Sequence, residues 1–323
     1  MIHIIGEGIM IDAVFTWVNG QDPTHQKKRQ AWESKTQDAS LDSHACHETR
    51  FNNCDELYYS VQLARQNMPW LNRIFIITDQ QHPSWLSASV QARLNVTIID
   101  HQTIFVNDDQ AFLPTFNSQS IELMLGKIPH LSDYFIYLND DMFVVSPCQP
   151  SDFFDQGQPI FRGIWQGKQW LIKKMRQLIT WDKGKIGLNG WHKNGTSGRF
   201  HAFRLAHAPV PIEKQLFNAC FSTTFKKTHL QYRFRSKDQL WPIGYYAQTM
   251  LNQRRAKTCW DGYDCIDFSN RKGKQQDRFE KTLTHIKKRS DLSFLCVQSL
   301  DQATDNQMQQ VQDYLHNLLV DPI

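Results

Sequence analysis

Residues 135–143, Phe-Ile-Tyr-Leu-Asn-Asp-Asp-Met-Phe, constrain this chain more than any other segment. A run of strand-forming apolar residues ends abruptly at Asn139, Asp140 and Asp141, and apolar residues then resume. Adjacent carboxylates in such a place are costly unless a cation meets them, and hard divalent cations prefer oxygen ligands. In open α/β sheets, ligands bind beyond the carboxyl ends of the strands. The segment therefore predicts a metal-assisted phosphate site; the alternative is a turn with two solvated acids.

The composition indicates a water-soluble globular chain. Its 323 residues are 41% hydrophobic, enough for one large α/β domain spanning residues 1–323. No apolar run reaches the length of about 18 residues that a transmembrane helix needs. The first residues also lack the features of a secretory signal, so we expect a cytoplasmic protein, with peripheral attachment at the inner face of the plasma membrane as an alternative. A net charge of +4 predicts no binding to nucleic acid.

Short buried strands alternate with helical segments in the first half of the chain. Apolar runs predict strands at residues 11–18, 74–79, 96–100 and 135–138, and helical spacing predicts helices at 57–67 and 118–127. This alternation predicts βαβ units and a mostly parallel, Rossmann-like sheet. The sequence contains no Gly-x-Gly-x-x-Gly fingerprint and no phosphate-binding loop with Gly-Lys-Ser/Thr. A bound nucleotide must therefore be held by side chains and a metal ion.

The second half of the chain differs in character. Residues 151–205 are rich in Gly, Trp and Lys, which indicates an inserted subdomain or a mobile loop over the site. From about residue 207 the spacing of Ile212, Leu216 and Cys220 predicts helix, and we expect residues 206–323 to be the mainly helical second half of the site. The seven cysteines contain no Cys-x-x-Cys pair, so free thiols are expected; Cys259 and Cys265 would form a local disulfide only in an oxidising compartment.

Several segments, taken together and in order, resemble the conserved blocks of the Stealth proteins. Residues 11–20 resemble the first block. The segments that resemble the second block are Arg50 with residues 55–60, and residues 68–80, 83–86, 113–118, 121–122 and 135–143. The third resembles residues 207–211 with 232–238, and a weaker match to the fourth lies around residues 296–301. The fourth block departs from the family pattern, because the expected Asn-Asp pair is missing there.

The resemblance implies a nucleotide-sugar-binding fold of the glycosyltransferase A type and a sugar-1-phosphate transferase. Such an enzyme transfers a hexose-1-phosphate, typically N-acetylhexosamine-1-phosphate, from a UDP-sugar to an acceptor hydroxyl and releases UMP. The acceptor would be an oligo- or polysaccharide, which could itself bear phosphate, and the pathway would be capsule or surface polysaccharide synthesis with capsule-assembly partners. The alternatives are a conventional metal-dependent glycosyltransferase, which releases UDP, and a carbohydrate-binding protein that has lost catalysis.

The chemistry assigns roles to particular side chains. Mg²⁺, or Mn²⁺, held by Asp140 and Asp141 would neutralise diphosphate oxygens, with Asp301 as a further candidate ligand. Arg233 and Arg235 would share one side of a strand and clamp the diphosphate. His207 precedes Ala-Pro-Val-Pro and is the candidate general base, so the predicted catalytic residues are His207, Arg233, Arg235 and Asp141.

The remaining candidates are predicted to bind the substrate. Asp12 and the Asn19-Gly20 turn are expected at the end of the first strand, near the uridine or the sugar of the donor. A helix N-terminus is expected to bring Asn117 and Ser118 to the sugar phosphate. Arg50 is a further candidate, and the alternative for Arg50 is a buried ion pair with Glu56 that braces the fold. The complete predicted set is Asp12, Asn19, Gly20, Arg50, Asn117, Ser118, Glu122 and Asn139.

Overall fold

The computed structural model describes residues 9–35, 51–166, 202–236, 238–268 and 275–323. The strands in these ranges are β1 (Ile11–Thr16), β2 (Ile74–Thr78), β3 (Val96–Asp100), β4 (Tyr134–Asn139), β5 (Met142–Val144), β6 (Phe154–Asp155), β7 (Gln158–Gln166), β8 (Ala202–Leu205), β9 (Val210–Glu213), β10 (Lys257–Cys259), β11 (Tyr263–Asp267) and β12 (Phe294–Gln298). They form one main sheet and two smaller ones.

The main sheet has the order β3-β2-β1-β4-β9. β1 to β4 run parallel, and β9 pairs antiparallel with β4 at one edge. All six residues of β1 and all five of β2 are buried, as expected for parallel strands covered on both faces. The order 3-2-1-4 reverses direction between β1 and β4, which is the topological switch point where such sheets bind ligands. The predicted Rossmann-like, mostly parallel α/β class is confirmed.

The helices cover both faces of this sheet and extend the second half of the chain. They are α1 (Pro23–Glu33), α2 (Glu56–Asn67), α3 (Ala88–Leu94), α4 (His101–Ile104), α5 (Ser118–Glu122), α6 (Lys214–Ala219), α7 (Thr223–Leu230), α8 (Pro242–Asn252), α9 (Gln275–Lys288) and α10 (Asp305–His316). Alternate residues of β1 enter two different cores: Ala13 and Phe15 pack with α2, whereas Val14 packs with α8. The two-residue period of a strand thus places a separate apolar layer on each face.

A three-stranded sheet with the order β11-β12-β5 adjoins the switch point. β11 and β12 are parallel, and β5 pairs antiparallel with β12. Because β5 follows β4 after only two residues, this small sheet is attached directly to the Asn-Asp-Asp segment. A third core, including Phe143, Leu295 and Val297, packs this sheet against α9 and α10. The pairing of β5 with β12 brings the end of β12 close to the end of β4, although the two strands are far apart in the sequence.

The second half of the chain departs from the helical prediction at one edge of the main sheet. Residues 210–213 form β9 rather than the start of a helix, because Val210 and Ile212 are β-branched and bury their side chains while the backbone pairs with β4. The helix begins only at Lys214. Residues 206–323 therefore contain strands β9 to β12 as well as α6 to α10.

The insertion predicted at residues 151–205 lies partly outside the described residues. Its described ends form β6, β7 and β8, which join β10 in a small separate sheet. Cys259 and Cys265 are both free thiols, so the local disulfide is not formed. Within the described ranges, no helix combines the length and the apolar character that crossing a bilayer requires.

Candidate active site

A cleft of about 640 Å³ opens where β1 and β4 end. Thr16 and Asn139, the last residues of these strands, are register partners, and both line the cleft. The small sheet contributes its own strand ends from the opposite side. The lining residues are Thr16, Trp17, Val18, His25, Phe51, Asn52, Glu56, Thr115, Phe116, Ser118, Ile121, Asn139, Asp140, Asp141, Arg235, Asp267, Val297, Gln298, Ser299, Leu300, Asp301 and Gln302.

Four carboxylates from three separate segments gather in this cleft. Asp140 and Asp141 occupy the turn between β4 and β5. Asp301 arrives from the 3₁₀ turn after β12 and accepts a hydrogen bond of 2.9 Å from Asn52 Nδ2. Glu56 opens α2, and its Oε2 accepts a 2.6 Å bond from the backbone N–H of Cys54. Glu56, predicted to form a structural ion pair with Arg50, thus joins Asp140, Asp141 and Asp301 in the cleft.

The carboxylates perturb one another. Burial, followed by the charge of Asp141, raises the pKa of Asp140 to about 7. Burial and the charge of Glu56 raise the pKa of Asp141 to about 7, although the Cys296 thiol donates to this carboxylate and opposes the shift. The pKa of Glu56 also rises to about 7, through burial and then the charge of Asp140. Burial is the largest cause of each shift and the neighbouring acids add to it, so all three carboxyl groups bind protons more tightly than in water.

The donor set of the cluster fits a hard cation. Asp141 Oδ1 is buried and has no hydrogen-bond partner. Among the residues that the structure describes, no three acidic, histidine or cysteine side chains already converge into a metal-binding group. Mg²⁺ needs few protein ligands, because water and phosphate oxygens complete its shell. The oxygen-only cluster with one orphaned atom therefore suits an ion that arrives together with a phosphate-bearing ligand.

Arg235 supplies positive charge to the same cleft. Its Nη2 donates a 2.6 Å hydrogen bond to Ser118 Oγ at the start of α5. The guanidinium also acts electrostatically on Asp141 and on Glu122, opposing the rise in the pKa of each. Arg235 is the only arginine or lysine among the cleft-lining residues in the described part of the chain. It is placed to contact an anion bound between Ser118 and the carboxylate cluster.

Asn139 is held by a buried hydrogen-bond chain behind the cleft. The Tyr137 hydroxyl lies 2.9 Å from Asn139 Oδ1, 3.0 Å from Thr16 Oγ1 and 3.3 Å from Glu122 Oε1. Glu122 is only 3% exposed, and burial raises its pKa to about 7. The prediction that Glu122 binds the substrate is therefore corrected: it supports the end of β4 from inside the fold.

Arg233 does not share the cleft with Arg235. The two residues lie on a loop rather than on a strand, so their side chains diverge. The Arg233 guanidinium donates to the backbone carbonyls of Ala111, Phe112 and Pro114 at 2.6–2.9 Å and stacks on Trp32, 3.9 Å from the ring centroid. The predicted pair of diphosphate-binding arginines is thus wrong for Arg233, which fastens one loop to another.

Asn117 is also a structural residue. It is fully buried, and its Nδ2 donates to the carbonyls of Tyr232 and Phe234 and to Gln239 Oε1, while its Oδ1 caps α5. The predicted contact with the sugar phosphate is therefore corrected. Asn117 instead fixes the segment that carries Arg235, whereas its neighbour Ser118 does line the cleft.

Two predicted residues of the first strand lie elsewhere. Asp12 is the second residue of β1, at the end opposite the cleft. Its carboxylate is fully buried and accepts bonds from Asn72 Nδ2, Arg73 N and Ser132 N at 2.7–3.0 Å, which ties together the loops that enter β2 and β4. The prediction that Asp12 touches the donor is therefore wrong.

The Asn19-Gly20 turn is not among the lining residues either. Gln81 bonds both backbone groups of Asn19, at 2.8 and 2.9 Å. A Cβ on Gly20 would lie 2.3 Å from atoms of Phe51, so the glycine permits close packing of two chain segments. The predicted role in substrate contact is corrected to a role in packing. Arg50, the last predicted substrate residue, lies outside the described residues.

His207 lies at the rim, between the main sheet and the small sheet. Gln298 Nε2, which belongs to the cleft lining, is 3.1 Å from His207 Nδ1. Although solvent reaches the ring, partial desolvation lowers the pKa of His207, the charge of Asp267 opposes this shift, and Arg204 and Arg235 reinforce it. The ring is therefore neutral near pH 7 and able to accept a proton.

Sequence reasoning missed Glu56, Asp267, Gln298 and an aromatic end of the cleft. The aromatic end includes Phe51 and Phe116, both in contact with the His25 ring at centroid distances of 5.9 and 5.5 Å. Asp267 carries a weak signal, because it is an acid at the end of the short strand Tyr263–Asp267, although that strand also contains Asp264 and is not an apolar run. The other residues carry no signal that distinguishes them from ordinary surface or core positions.

Two conserved regions of a known family match this chain. "Stealth protein CR1, conserved region 1" matches residues 11–37, and "Stealth protein CR2, conserved region 2" matches residues 50–161. These regions contain β1, the acids of the turn after β4 and the start of α2. The chain belongs to the Stealth family.

Curated Stealth relatives are named for capsule synthesis. The capsular polysaccharide phosphotransferase LcbA of Aeromonas hydrophila is 42% identical over 238 residues, which are 71% of this chain and 62% of that protein. The capsular polysaccharide phosphotransferase fcs1 of Haemophilus influenzae is 43% identical over 242 residues, 72% of this chain and 62% of that protein. The capsular polysaccharide phosphotransferase cps1A of Actinobacillus pleuropneumoniae is 47% identical over 144 residues, which are 45% of this chain and 38% of that protein. The matched part thus spans less than two thirds of these relatives.

Solved structures show only a distant likeness. A crystal structure of an active-site mutant of LgtC aligns over 96% of both chains with a TM-score of 0.46 and 11% identity. At this level the likeness carries no inference about function, and the fold class rests on the strand order and connections described above.

Proposed function

We propose that this Stealth protein transfers a hexose-1-phosphate from a UDP-sugar to a sugar hydroxyl and releases UMP, in the synthesis of a capsule or surface polysaccharide. The observation that carries the proposal is the cleft itself, in which a carboxylate cluster and Arg235 face each other at the switch point of the sheet. The names of the curated relatives favour the same reaction class. An N-acetylhexosamine is the favoured hexose, as the family resemblance implies.

The reaction exchanges one phosphate ester for another. The acceptor oxygen attacks the β-phosphorus of the donor, its O–H bond breaks, and the bond between the β-phosphorus and the bridging oxygen breaks so that UMP leaves with the electron pair. Positioning and charge stabilisation dominate such transfers. Arg235, held by Ser118, is placed to bind a phosphoryl oxygen in a fork of two N–H groups.

Asp140, Asp141 and Asp301, together with Glu56, would hold Mg²⁺ or Mn²⁺. When bound, the ion supplies charge neutralisation to the diphosphate and to the departing UMP. The residues themselves impose an acidic surface that binds a diphosphate poorly, and the raised pKa values of Asp141 and Glu56 reflect this crowding. The Asn52 amide fixes Asp301 toward the cluster at 2.9 Å.

His207 would accept the proton of the attacking hydroxyl. Desolvation lowers its pKa, which keeps the ring neutral at the pH where a base is needed. Its position on the rim leaves the approach of a large saccharide open, because the side chain is exposed. The acceptor in this proposal is an oligo- or polysaccharide, phosphate-bearing in some cases, and the location is the cytoplasm or the inner face of the plasma membrane.

The nucleotide product tests the proposal. The purified protein is incubated with Mg²⁺, a panel of UDP-N-acetylhexosamines and short phospho-sugar oligomers, and UMP is separated from UDP by chromatography. Acceptor-dependent UMP is expected from the natural chain and not from Asp141→Asn. A matched control, Asp133→Asn, removes an exposed acid that pairs with Lys214 outside the cleft and should leave the rate unchanged. Release of UDP instead would identify a conventional glycosyltransferase and contradict the assignment.

A further inference from the structure

The ends of β11 and β12 present a pair of polar side chains to the cleft. Asp267 and Gln298 are the last residues of these strands and are register partners. Both line the cleft. The neighbouring pair Ile266 and Val297 packs in the third core, and Val297 also borders the cleft. Because two parallel strands hold the pair in register, the positions of the Asp267 and Gln298 backbones relative to each other are fixed by the sheet.

Gln298 acts on one protonation state of His207. Its Nε2 lies 3.1 Å from Nδ1 and 3.4 Å from Nε2 of the imidazole. An amide N–H can donate only to a ring nitrogen that has a free lone pair, and the imidazolium has none because both nitrogens carry hydrogen. The contact therefore stabilises neutral His207 and holds the ring at the rim of the cleft.

Asp267 acts in the opposite sense. Among the described residues, its carboxylate is the acidic group that raises the pKa of His207, and the charged groups Arg204 on β8 and Arg235 in the cleft both lower that pKa. A negative charge beside an imidazole favours the imidazolium that forms when the ring takes a proton. Of the register pair, Gln298 thus stabilises the neutral ring before proton transfer, and Asp267 stabilises the imidazolium after it.

We propose that Asp267 and Gln298 are positioning residues for His207: Gln298 holds the neutral ring at the mouth of the cleft, and Asp267 stabilises the cation that forms when His207 accepts the proton of the acceptor hydroxyl. The inference rests on the proposed function, in which His207 is the base. The acceptor hydroxyl takes the place of the Gln298 N–H on the ring nitrogen, and the proton then moves from oxygen to nitrogen as the new P–O bond forms.

Variants of the pair should shift the pH dependence in opposite directions. Asp267→Asn removes the charge that favours the cation, so the acid limb of kcat should move to lower pH by about half a unit, the size expected for one neighbouring charge in a water-like surrounding. Gln298→Met removes the donor that favours the neutral ring, so the limb should move to higher pH by about half a unit. Asp264→Asn is the control on the same strand, since Asp264 pairs with Arg289 rather than with His207.

The experiment measures UMP release between pH 5 and 9 with saturating UDP-sugar and acceptor, and in parallel the titration of the His207 Cε1–H signal by NMR on the full chain. The signal is identified by its loss in His207→Gln. Opposite shifts in both measurements, with no shift in Asp264→Asn, are the expected result. Equal losses of rate with no displacement of the His207 titration would overturn the positioning role and indicate that the pair only stabilises the fold.

The NMR measurement separates this inference from the proposed function. If the His207 signal shifts in opposite directions in the two variants but the kinetic profile does not follow, the contacts are as described and His207 is not the base, which refutes the proposed step. If the nucleotide product is UDP and the His207 titration is unmoved, both assignments fail together.

Discussion

Replacing Asp141 with Asn should make the metal-free protein more stable while removing its activity. Burial removes water from the Asp141 carboxylate and the charge of Glu56 repels it, and together they raise its pKa to about 7 from an ordinary 3.8. Asn has nearly the same shape and can still accept from the Cys296 thiol, but it carries no charge. The variant therefore relieves the electrostatic cost of the cluster without opening a cavity.

The magnitude follows from the pKa of Asp141. A shift of about three units corresponds to a ceiling of about 4 kcal/mol, at about 1.4 kcal/mol for each unit. Asp140 and Glu56 share the same repulsion and relax when one charge is lost, so we expect about half of that, ~2 kcal/mol. With an unfolding entropy of about 2 cal/mol/K per residue, a gain of this size raises the Tm of a chain of 323 residues by about 3 °C.

The sign of the pH dependence is fixed by the direction of the shift. The folded-state pKa of Asp141 lies above the unfolded value, so the folded protein binds the proton more tightly. The cost of the carboxylate is therefore absent below the unfolded pKa of 3.8, grows as the pH rises, and is complete above about 7. The difference in Tm between Asp141→Asn and the natural chain should be largest at pH 8 and should nearly vanish toward pH 4.

Thermal unfolding at pH 4.5 and pH 8, with and without Mg²⁺, provides the assay. Mg²⁺ should raise the Tm of the natural chain at pH 8 and have less effect on Asp141→Asn, because a ligand has been lost. Asp133→Asn, which removes a 60% exposed carboxylate, serves as the matched control and should gain no stability. A metal-free Asp141→Asn that is less stable than the natural chain at pH 8 would refute the reasoning about the cluster.

Four further substitutions distinguish cleft residues from residues that support the fold. Arg235→Lys should lower kcat/KM at least about tenfold with an unchanged Tm, because the fork of the guanidinium is lost. Arg233→Lys should instead lower the unfolding free energy by about 2 kcal/mol, because three backbone carbonyls lose their donor. The kinetics of the folded Arg233→Lys protein should be unchanged. Asp12→Asn should cost about 2 kcal/mol in urea unfolding without a change in KM, since three buried donors lose a charged acceptor. Gly20→Ala should lower the unfolding free energy by roughly 1–3 kcal/mol in the same measurement, because the new Cβ clashes with Phe51. A changed KM for Asp12→Asn, or an unchanged stability for Gly20→Ala, would contradict these placements.

The main sheet could be predicted from the sequence because its strands are buried on both faces. Burial on both faces leaves unbroken apolar runs, and the strand predicted at residues 96–100 coincides with β3 (Val96–Asp100). Asp140 and Asp141 could be recognised for the same reason, because acids that interrupt a buried apolar run are costly unless they have a function. The error for Asp12 was avoidable, because Asp12 lies at the beginning of β1 and only the end of a parallel strand reaches the switch point.

The remaining parts of the site depend on contacts that spacing does not encode. Two arginines separated by one residue share a side only on a strand, and the loop that holds Arg233 and Arg235 sends one to backbone carbonyls and the other to Ser118. Glu56 enters the cleft because α2 packs against β5, where Ser60 and Asn67 donate hydrogen bonds to the carbonyls of Met142 and Val144, and this tertiary contact has no local sequence signature. The β9 strand was read as helix because four residues are too few to show a period.

The charge balance of the cleft links its two proposed ligands. Arg235 faces five lining carboxylates, those of Glu56, Asp140, Asp141, Asp267 and Asp301. A donor diphosphate would add negative charge to this surface, Arg235 is the only lining arginine or lysine among the described residues, and Asp141 Oδ1 has no hydrogen-bond partner there. A divalent cation bound by the carboxylates would turn the repulsion between the diphosphate and the cleft into attraction. The cation and the donor should therefore strengthen the binding of each other by the same factor. On this argument the acidic cleft, which destabilises the empty fold, is also what prevents the donor from binding productively before the cation is in place.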